Sequence, residues 1–285
     1  MKKFLTFFVC LAAVLSLTAC SGGNNDSDSN SSTSTQTSEQ STTQSEQSTP
    51  VSTPESTPGS TSEEPPINVP TTSELGFEGY YDDDGNIVVS KYNGNDSDVV
   101  IPSEVNGHSV VKIDEWAFEE CKILKSITIP ESITEIGDCA FSDCENLETV
   151  NIPKSMTKIG EYAFSNCVSL KIAEIPSGVT KIEHGSFDGC TSLTSVTISE
   201  GVVEIGEYAF HNCEKLTSVN IPDSVTVIAG DAFTSCTRLT YVKLPSGLTS
   251  IDDMTFLFCE NIEVEYKGAT YDYDHLDELT AAVNG

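Results

Sequence analysis

The chain reads as a repeat solenoid: a strand-rich coil whose units are too small to fold alone and stack to share one core. Three observations predict it. Cysteine falls at 121, 144, 167, 190, 213, 236 and 259, and phenylalanine at 118, 141, 164, 187, 210, 233 and 256, both at intervals of 23. Isoleucine keeps the same beat at 113, 136, 159, 182, 205, 228 and 251, and leucine does so from Leu124 to Leu239, with Ile262 closing the series. Proline recurs at 130, 153, 176, 222 and 245, with Ser199 standing in once. A period between about 20 and 50 residues marks solenoids and arrays. The near-copies IGEYAFSNCVSL and IGEYAFHNCEKL, 46 residues apart, are therefore a structural unit counted out rather than a duplicated active site.

Taken in order, the 285 residues begin with Lys2, Lys3 and the apolar run FLTFFVCLAAVLSL, so residues 1–19 have the order of a secretory signal peptide and are short for a membrane span. The run ends in Leu17-Thr18-Ala19-Cys20, which resembles the lipobox of bacterial lipoproteins. That resemblance implies cleavage before Cys20 and lipidation of its thiol. The acyl chains would hold the protein on the outer leaflet of the cell membrane, facing the extracellular space, without spanning it. If Cys20 is not acylated, the protein is released.

Residues 20–70 are almost wholly Ser, Thr, Gln, Glu, Asn, Asp and Pro, with Val51, Ile67 and Val69 the only large aliphatics. Such a composition cannot offset the entropy of folding. The expectation is a disordered tether with an r.m.s. reach of about 35 to 42 Å. All 44 acidic residues follow the leader while two of the 14 basic ones lie inside it, so the mature balance is 12 against 44, or −32. That charge repels phosphate backbones and excludes the basic stripe nucleic-acid binding needs. It favours solubility and cationic partners.

Residues 71–98 form the expected N-terminal cap: LGFEGYYDDDGNIVVSKYNGNDSDVV reads as a hairpin turning at Asp83-Asp84-Gly85-Asn86. Asp82-Asp83-Asp84-Gly85-Asn86 is a turn rather than a calcium loop, because the glycine is misplaced and no glutamate follows at the twelfth position.

Residues 99–265 hold seven coils. In LKSITIP (124–130), Leu124, Ile127 and Ile129 alternate with Ser126 and Thr128 as a half-buried strand should. Proline ends the strand because it cannot donate to a ladder. SITEIG supplies a second short extended piece; then comes a turn, brief helix or 3-10 turn carrying Ala140 and Phe141, with Cys144 and Leu147 pointing back inward. Stacked strands about 4.8 Å apart make seven coils roughly 30 Å long. The first coil is longer because VNGHSV inserts before Val111.

The unit TIPESITEIGDCAFSDCENLETV (128–150) resembles the leucine-rich repeats of the BspA-like class in bacterial and protist surface proteins, over about residues 99 to 265. The resemblance implies a leucine-rich-repeat right-handed coil, and adhesion or protein–protein interaction as its role. Residues 266–285 then resemble the closing strand and short helix of related proteins, with HLDELTAAV as the helix.

No catalytic residues, metal ligands or cofactor are expected. The register cysteines come singly, one per coil, whereas a zinc site needs converging ligands. Parallel side chains in a tight core also give poor disulfide torsions, so buried free thiols are expected. Cys139 occupies a variable, outward position shared with Trp116, Tyr162, Gly185, Tyr208, Asp231 and Met254. His108, His184, His211 and His275 lie in the insertion, at variable positions of two coils, and in the end cap, and no hydrolase or phosphate-binding motif accompanies them.

Ligand contacts in solenoids are typically made on the strand face, expected here as one continuous exposed sheet. Its outward residues are Ser126 and Thr128, then the candidate site Thr149, Asn151, Ile172, Glu174, Ser195, Thr197, Ser218, Asn220, Tyr241 and Lys243, continuing to Val264 and Tyr266. Ile172, Tyr241 and Tyr266 stand out as candidate anchors on a polar background. The expectation is a monomeric, non-catalytic cell-surface protein binding an extracellular protein or glycan. Envelope scaffolding within the same cell, or capture of a carbohydrate or peptide, are its rivals.

Overall fold

The computed structural model describes residues 76–285; the leader, Cys20, the tether and residues 71–75 lie outside the described residues. Each coil has three sides. A longer strand, such as Ser195–Ile198, runs up to the proline position; a two-residue strand, such as Glu204–Ile205, follows it; a run of turns then leads to the next coil. Eight strands in one row, from Asp98–Val100 to Glu263–Tyr266, give one more turn of coil than the seven expected.

The register follows the repeat: Val196 pairs with Ala173 and Val219, and Ile205 with Ile182 and Ile228, all in parallel. Side-chain alternation puts Val196 and Ile198 inside and Ser195 and Thr197 outside.

The turn side settles the choice left open by the sequence: it contains no helix in any coil, and among the described residues helix is confined to Tyr273–His275 and Leu276–Asn284 in the cap. Its backbone N–H groups alternate between two partners. Tyr162, Phe164 and Asn166 donate to His184, Ser186 and Asp188 of the next coil at 2.9, 2.8 and 2.7 Å, while Ser165 and Cys167 donate back to Tyr162 and Phe164. A helix would spend every donor within its own coil, whereas this arrangement knits neighbours together. It requires two left-handed positions per coil, occupied by Tyr162 (φ 53°) and Asn166 (φ 56°) in the third.

Beneath the turns lies the phenylalanine stack. Ring centroids from Phe118 to Phe256 are separated by 4.9 to 5.7 Å with interplanar angles of 2 to 22°. Each thiol from Cys144 to Cys259 is buried and lies 3.1 to 3.4 Å from the carbonyl of the phenylalanine one coil earlier. Burial pushes all six thiols above their ordinary value. Cys121, which begins the series, is only half-buried.

The N-terminal hairpin, Phe77–Tyr81 against Ile87–Tyr92, caps the stack. Its turn is held by the Asp82 carboxylate, which accepts from the backbone N–H of Asp84 and Asn86 at 3.0 and 2.7 Å. Those hydrogen bonds hold its carboxyl below the usual range. Ile87–Tyr92 extends the short-strand row by pairing with His108–Ile113. Tyr92 also stacks on Phe118 at 5.2 Å and donates its N–H to Ala117, taking the place of a phenylalanine although it is 26 residues away. The VNGHSV insertion is a small hairpin in which Val105 pairs with His108 around Asn106 (φ 53°) and Gly107 (φ 85°), the conformation that favours Asn-Gly.

At the other end the chain reverses at Lys267–Gly268 into Ala269–Asp272, antiparallel to Glu263–Tyr266, before the final helix packs Leu279 into the core.

Candidate functional site

The candidate site is the row of longer strands. All ten candidate residues, from Thr149 to Lys243, are exposed there. The face departs from the expected continuous sheet. Asp98–Val100, Ser126–Thr128 and Thr149–Asn151 form one ladder, and Ile172–Ile175 onward forms another; Thr149–Asn151 and Ile172–Ile175 are adjacent but unpaired. The short-strand row is interrupted at the same coil boundary, between Lys158–Ile159 and Lys181–Ile182. The turn-side bonds from Tyr162, Phe164 and Asn166 bridge that boundary intact, so the coils splay on their strand sides and stay closed at the turns.

The opening falls where Ala173 replaces the Ile or Val found at the other inward positions of this row. Its small side chain leaves Val150 and Ile152 half-buried, although the equivalent Ile129, Ile175, Ile198 and Ile221 are buried. The result is a cleft of about 320 Å³ lined by Val150, Ile152 and Ile172, with Glu148, Lys171 and Glu174 at its rim. Lys171 is ion-paired with Glu148 across the boundary, which holds the Glu148 carboxyl below its ordinary value. Ile172 is 55% exposed.

Asn151 serves the fold as well as the face: its amide accepts from the Ile129 N–H at 2.8 Å and donates to the Ile129 carbonyl at 3.1 Å. Three coils beyond Ile172, roughly 14 Å along the stack, Tyr241 is 42% exposed and donates its hydroxyl to Glu265 at 2.7 Å. Lys243 pairs with the same carboxylate at 2.9 Å. The two bonds, Lys243 foremost, lower the Glu265 carboxyl, and the bond to Glu265 raises the Tyr241 hydroxyl.

The expected continuation to Val264 and Tyr266 is corrected. Val264 pairs with Val242, a step of 22 residues rather than 23, and the one-residue slip inverts the strand's faces. Val264 and Tyr266 are buried, Tyr266 donating to the Leu248 carbonyl at 3.3 Å, while Glu263 and Glu265 take the outward positions. Tyr266 is therefore no anchor. The shortened step is visible in the sequence between Ile262 and Val264; the cleft's only sequence signal is Ala173.

Among the described residues, no group of three His, Cys, Asp or Glu side chains converges as a metal site would require, and no helix is long and apolar enough to cross a membrane. Interaction with other proteins is the role this repeat fold suits in general, since the coil presents long, ordered side-chain rows.

A family model of the BspA type leucine-rich repeat region matches residues 92–183 and 158–268 in six copies. The leucine-rich-repeat protein of T. pallidum is 25% identical, with a TM-score of 0.54 over 76% of this chain and 96% of that one. A leucine-rich-repeat protein from Bacteroides ovatus is 34% identical, with a TM-score of 0.62 over 67% of this chain; the match spans about half of that protein's length, at 51%. No curated protein matches the chain. The 23-residue register, the inward apolar rows and these matches agree: the chain belongs to the BspA-type leucine-rich-repeat family.

Proposed function

We propose that the protein is a non-catalytic cell-surface binding protein that engages a protein partner through the strand face, with adhesion as its role. The observation that carries the reading is the cleft at the coil boundary, where exposed Ile172 lies beside uncovered Val150 and Ile152 inside a charged rim. An apolar pocket ringed by polar groups is what an anchoring side chain of a partner requires. Tyr241, on the same face, supplies a second contact at a distance a folded partner can span. The leader and the L-T-A-C order support export and anchoring at Cys20, and the tether would hold the coils away from the membrane.

The test is binding of the purified protein to immobilised matrix proteins, mucins and envelope extracts, alongside an Ile172→Ser, Tyr241→Ser double variant with an unchanged melting curve. Saturable binding to a host component that the variant loses supports adhesion through this face. Binding confined to the cell's own envelope extract would instead make the protein a scaffold, and equal binding by the variant would remove the strand face from the mechanism.

A further inference from the structure

The turn side carries a second pattern that the strand face does not explain. At one turn-side position, left-handed from Trp116 through Asp231, the coils place, in order, Trp116, Cys139, Tyr162, Gly185, Tyr208, Asp231 and Met254. Large and small side chains alternate strictly, so the true period of this row is two coils. Tyr162 rests over Gly185 and meets the His184 ring edge-on at 5.0 Å, and His184 meets Tyr208 in the same way at 5.4 Å. A Cβ on Gly185 would lie 2.4 Å from Tyr162 Cε1, so a larger residue there would displace the ring.

The row is not what stability alone would select. Trp116, Tyr162 and Tyr208 have φ of 56, 53 and 55°, a region bulky side chains avoid. Four residues further along each coil the same backbone conformation recurs, and there it is filled in the middle coils by Asp143, Asn166, Gly189 and Asn212, which tolerate it, and in the outer coils by Glu120, Ser235 and Phe258. In the middle coils, then, the same strained site is relieved on one row and loaded with half-buried rings, Tyr162 and Tyr208, on the other. Strain kept at surface aromatics points to a binding role.

The ligand class follows from pitch and charge. On this side adjacent coils advance by 5.3 Å between Phe164 and Phe187 and 5.5 Å between Phe187 and Phe210, so the aromatic row repeats every 10 to 11 Å, roughly. An extended peptide presents same-face side chains every ~6.6 to 6.8 Å and does not match. A polyproline II helix, at ~9.3 Å per turn, falls out of step over successive rings. An extended β-linked glycan turns the same sugar face outward once per disaccharide, close to the observed pitch. Residues 115–120 and their equivalents in every coil contain no Lys or Arg, and Glu115, Glu161 and Glu207 immediately precede the three rings. Those carboxylates accept hydrogen bonds from sugar hydroxyls and repel sulfated or uronic chains.

We infer that the turn side, through Trp116, Tyr162 and Tyr208, is a second binding surface that stacks an uncharged, extended β-linked glycan along the coil axis. It is separate from the protein-binding strand face and leaves that face free.

The test uses the purified protein and its own reporter, since Trp116 is the chain's single tryptophan. Cellohexaose and chitohexaose are titrated against its fluorescence, with maltohexaose, heparin and a proline-rich peptide as comparisons. The β-linked oligosaccharides are expected to shift and quench the emission saturably. A Tyr162→Asn, Tyr208→Asn variant, whose new residues suit the left-handed backbone, is expected to melt no lower than the parent yet bind roughly tenfold or more weakly. Ile172→Ser is expected to leave glycan binding unchanged, which separates this surface from the strand-face cleft. No response to the β-linked probes, unaltered binding by the Asn variant, or binding only of heparin, maltohexaose or the proline-rich peptide would overturn the assignment.

Discussion

The Sγ of Cys167 lies 3.2 Å from the carbonyl oxygen of Phe141, one coil earlier. The same carbonyl accepts the N–H of Cys144 in its own coil at 3.3 Å, so it stays bonded if the thiol is lost. Removing the thiol therefore costs a weak hydrogen bond and the volume of one sulfur. Cys167→Ala is expected to lower stability by about 1 to 3 kcal/mol in denaturant unfolding. Cys167→Ser, which retains a donor, should lose less. If Ser loses as much as Ala or more, the slot selects sulfur's apolar bulk and the S–H bond is incidental.

The thiol ladder also predicts how stability depends on pH. Burial raises Cys259 to about 12 and holds Cys167, Cys213 and Cys236 well above their ordinary 9.0. Because the folded value exceeds the unfolded one, this stability is fully present below pH 9.0 and is lost as pH climbs toward the folded values. Each thiol contributes about 1.4 kcal/mol of loss per pH unit in that window. Melting temperature is expected to be flat in its thiol-dependent part up to about pH 9 and to fall steeply beyond it. Replacing Cys213 and Cys236 by Ala should shallow the fall; an unchanged slope would rule out the ladder as its source.

Gly185 is held at φ 58° beneath the Tyr162 ring. Gly185→Ala should destabilise by about 1 to 2 kcal/mol through the backbone alone, with the steric conflict adding to it. Tyr162→Ala in the same chain removes the conflict and leaves the backbone cost. A double-mutant cycle by chemical denaturation should therefore give a non-zero coupling, and strict additivity would mean that the ring moves aside freely.

Asn284 closes the short-strand row. Its amide accepts from the Ile251 N–H at 3.0 Å and donates to the Ile251 carbonyl at 2.8 Å, standing where another coil's backbone would. Asn284→Ala is expected to speed hydrogen exchange at Ile251 and cost about 1 kcal/mol. It should also promote end-to-end association at high concentration, read by light scattering, because an unsealed edge pairs with other chains. Unaltered exchange at Ile251 would show that the cap seals the coil by other contacts.

Much of this could be read from the chain because each coil meets the same neighbours. Ile136, Phe141, Cys144 and Leu147 occupy the positions their spacing assigns, and the strand-face residues from Thr149 to Lys243 point outward as alternation requires. What escaped were the departures from the beat: Tyr92 joining the phenylalanine stack from 26 residues away, and Val264 slipping one place so that Glu265 rather than Tyr266 faces out. Both occur at the ends, where a coil meets a cap and the repeat no longer dictates the contact.

By itself, then, the sequence determined the repeat length, the inward rows and the coil-by-coil register, because a 23-residue period admits one way of burying its apolar positions. Only the tertiary structure decided where the surface becomes distinctive. The cleft at Ile172 arises from one small residue, Ala173, failing to cover the coil before it, and Tyr162 keeps its place in the aromatic row because Gly185 leaves room for its ring. Each is a relation between residues a full coil apart, and it has no physical meaning until stacking brings them into contact.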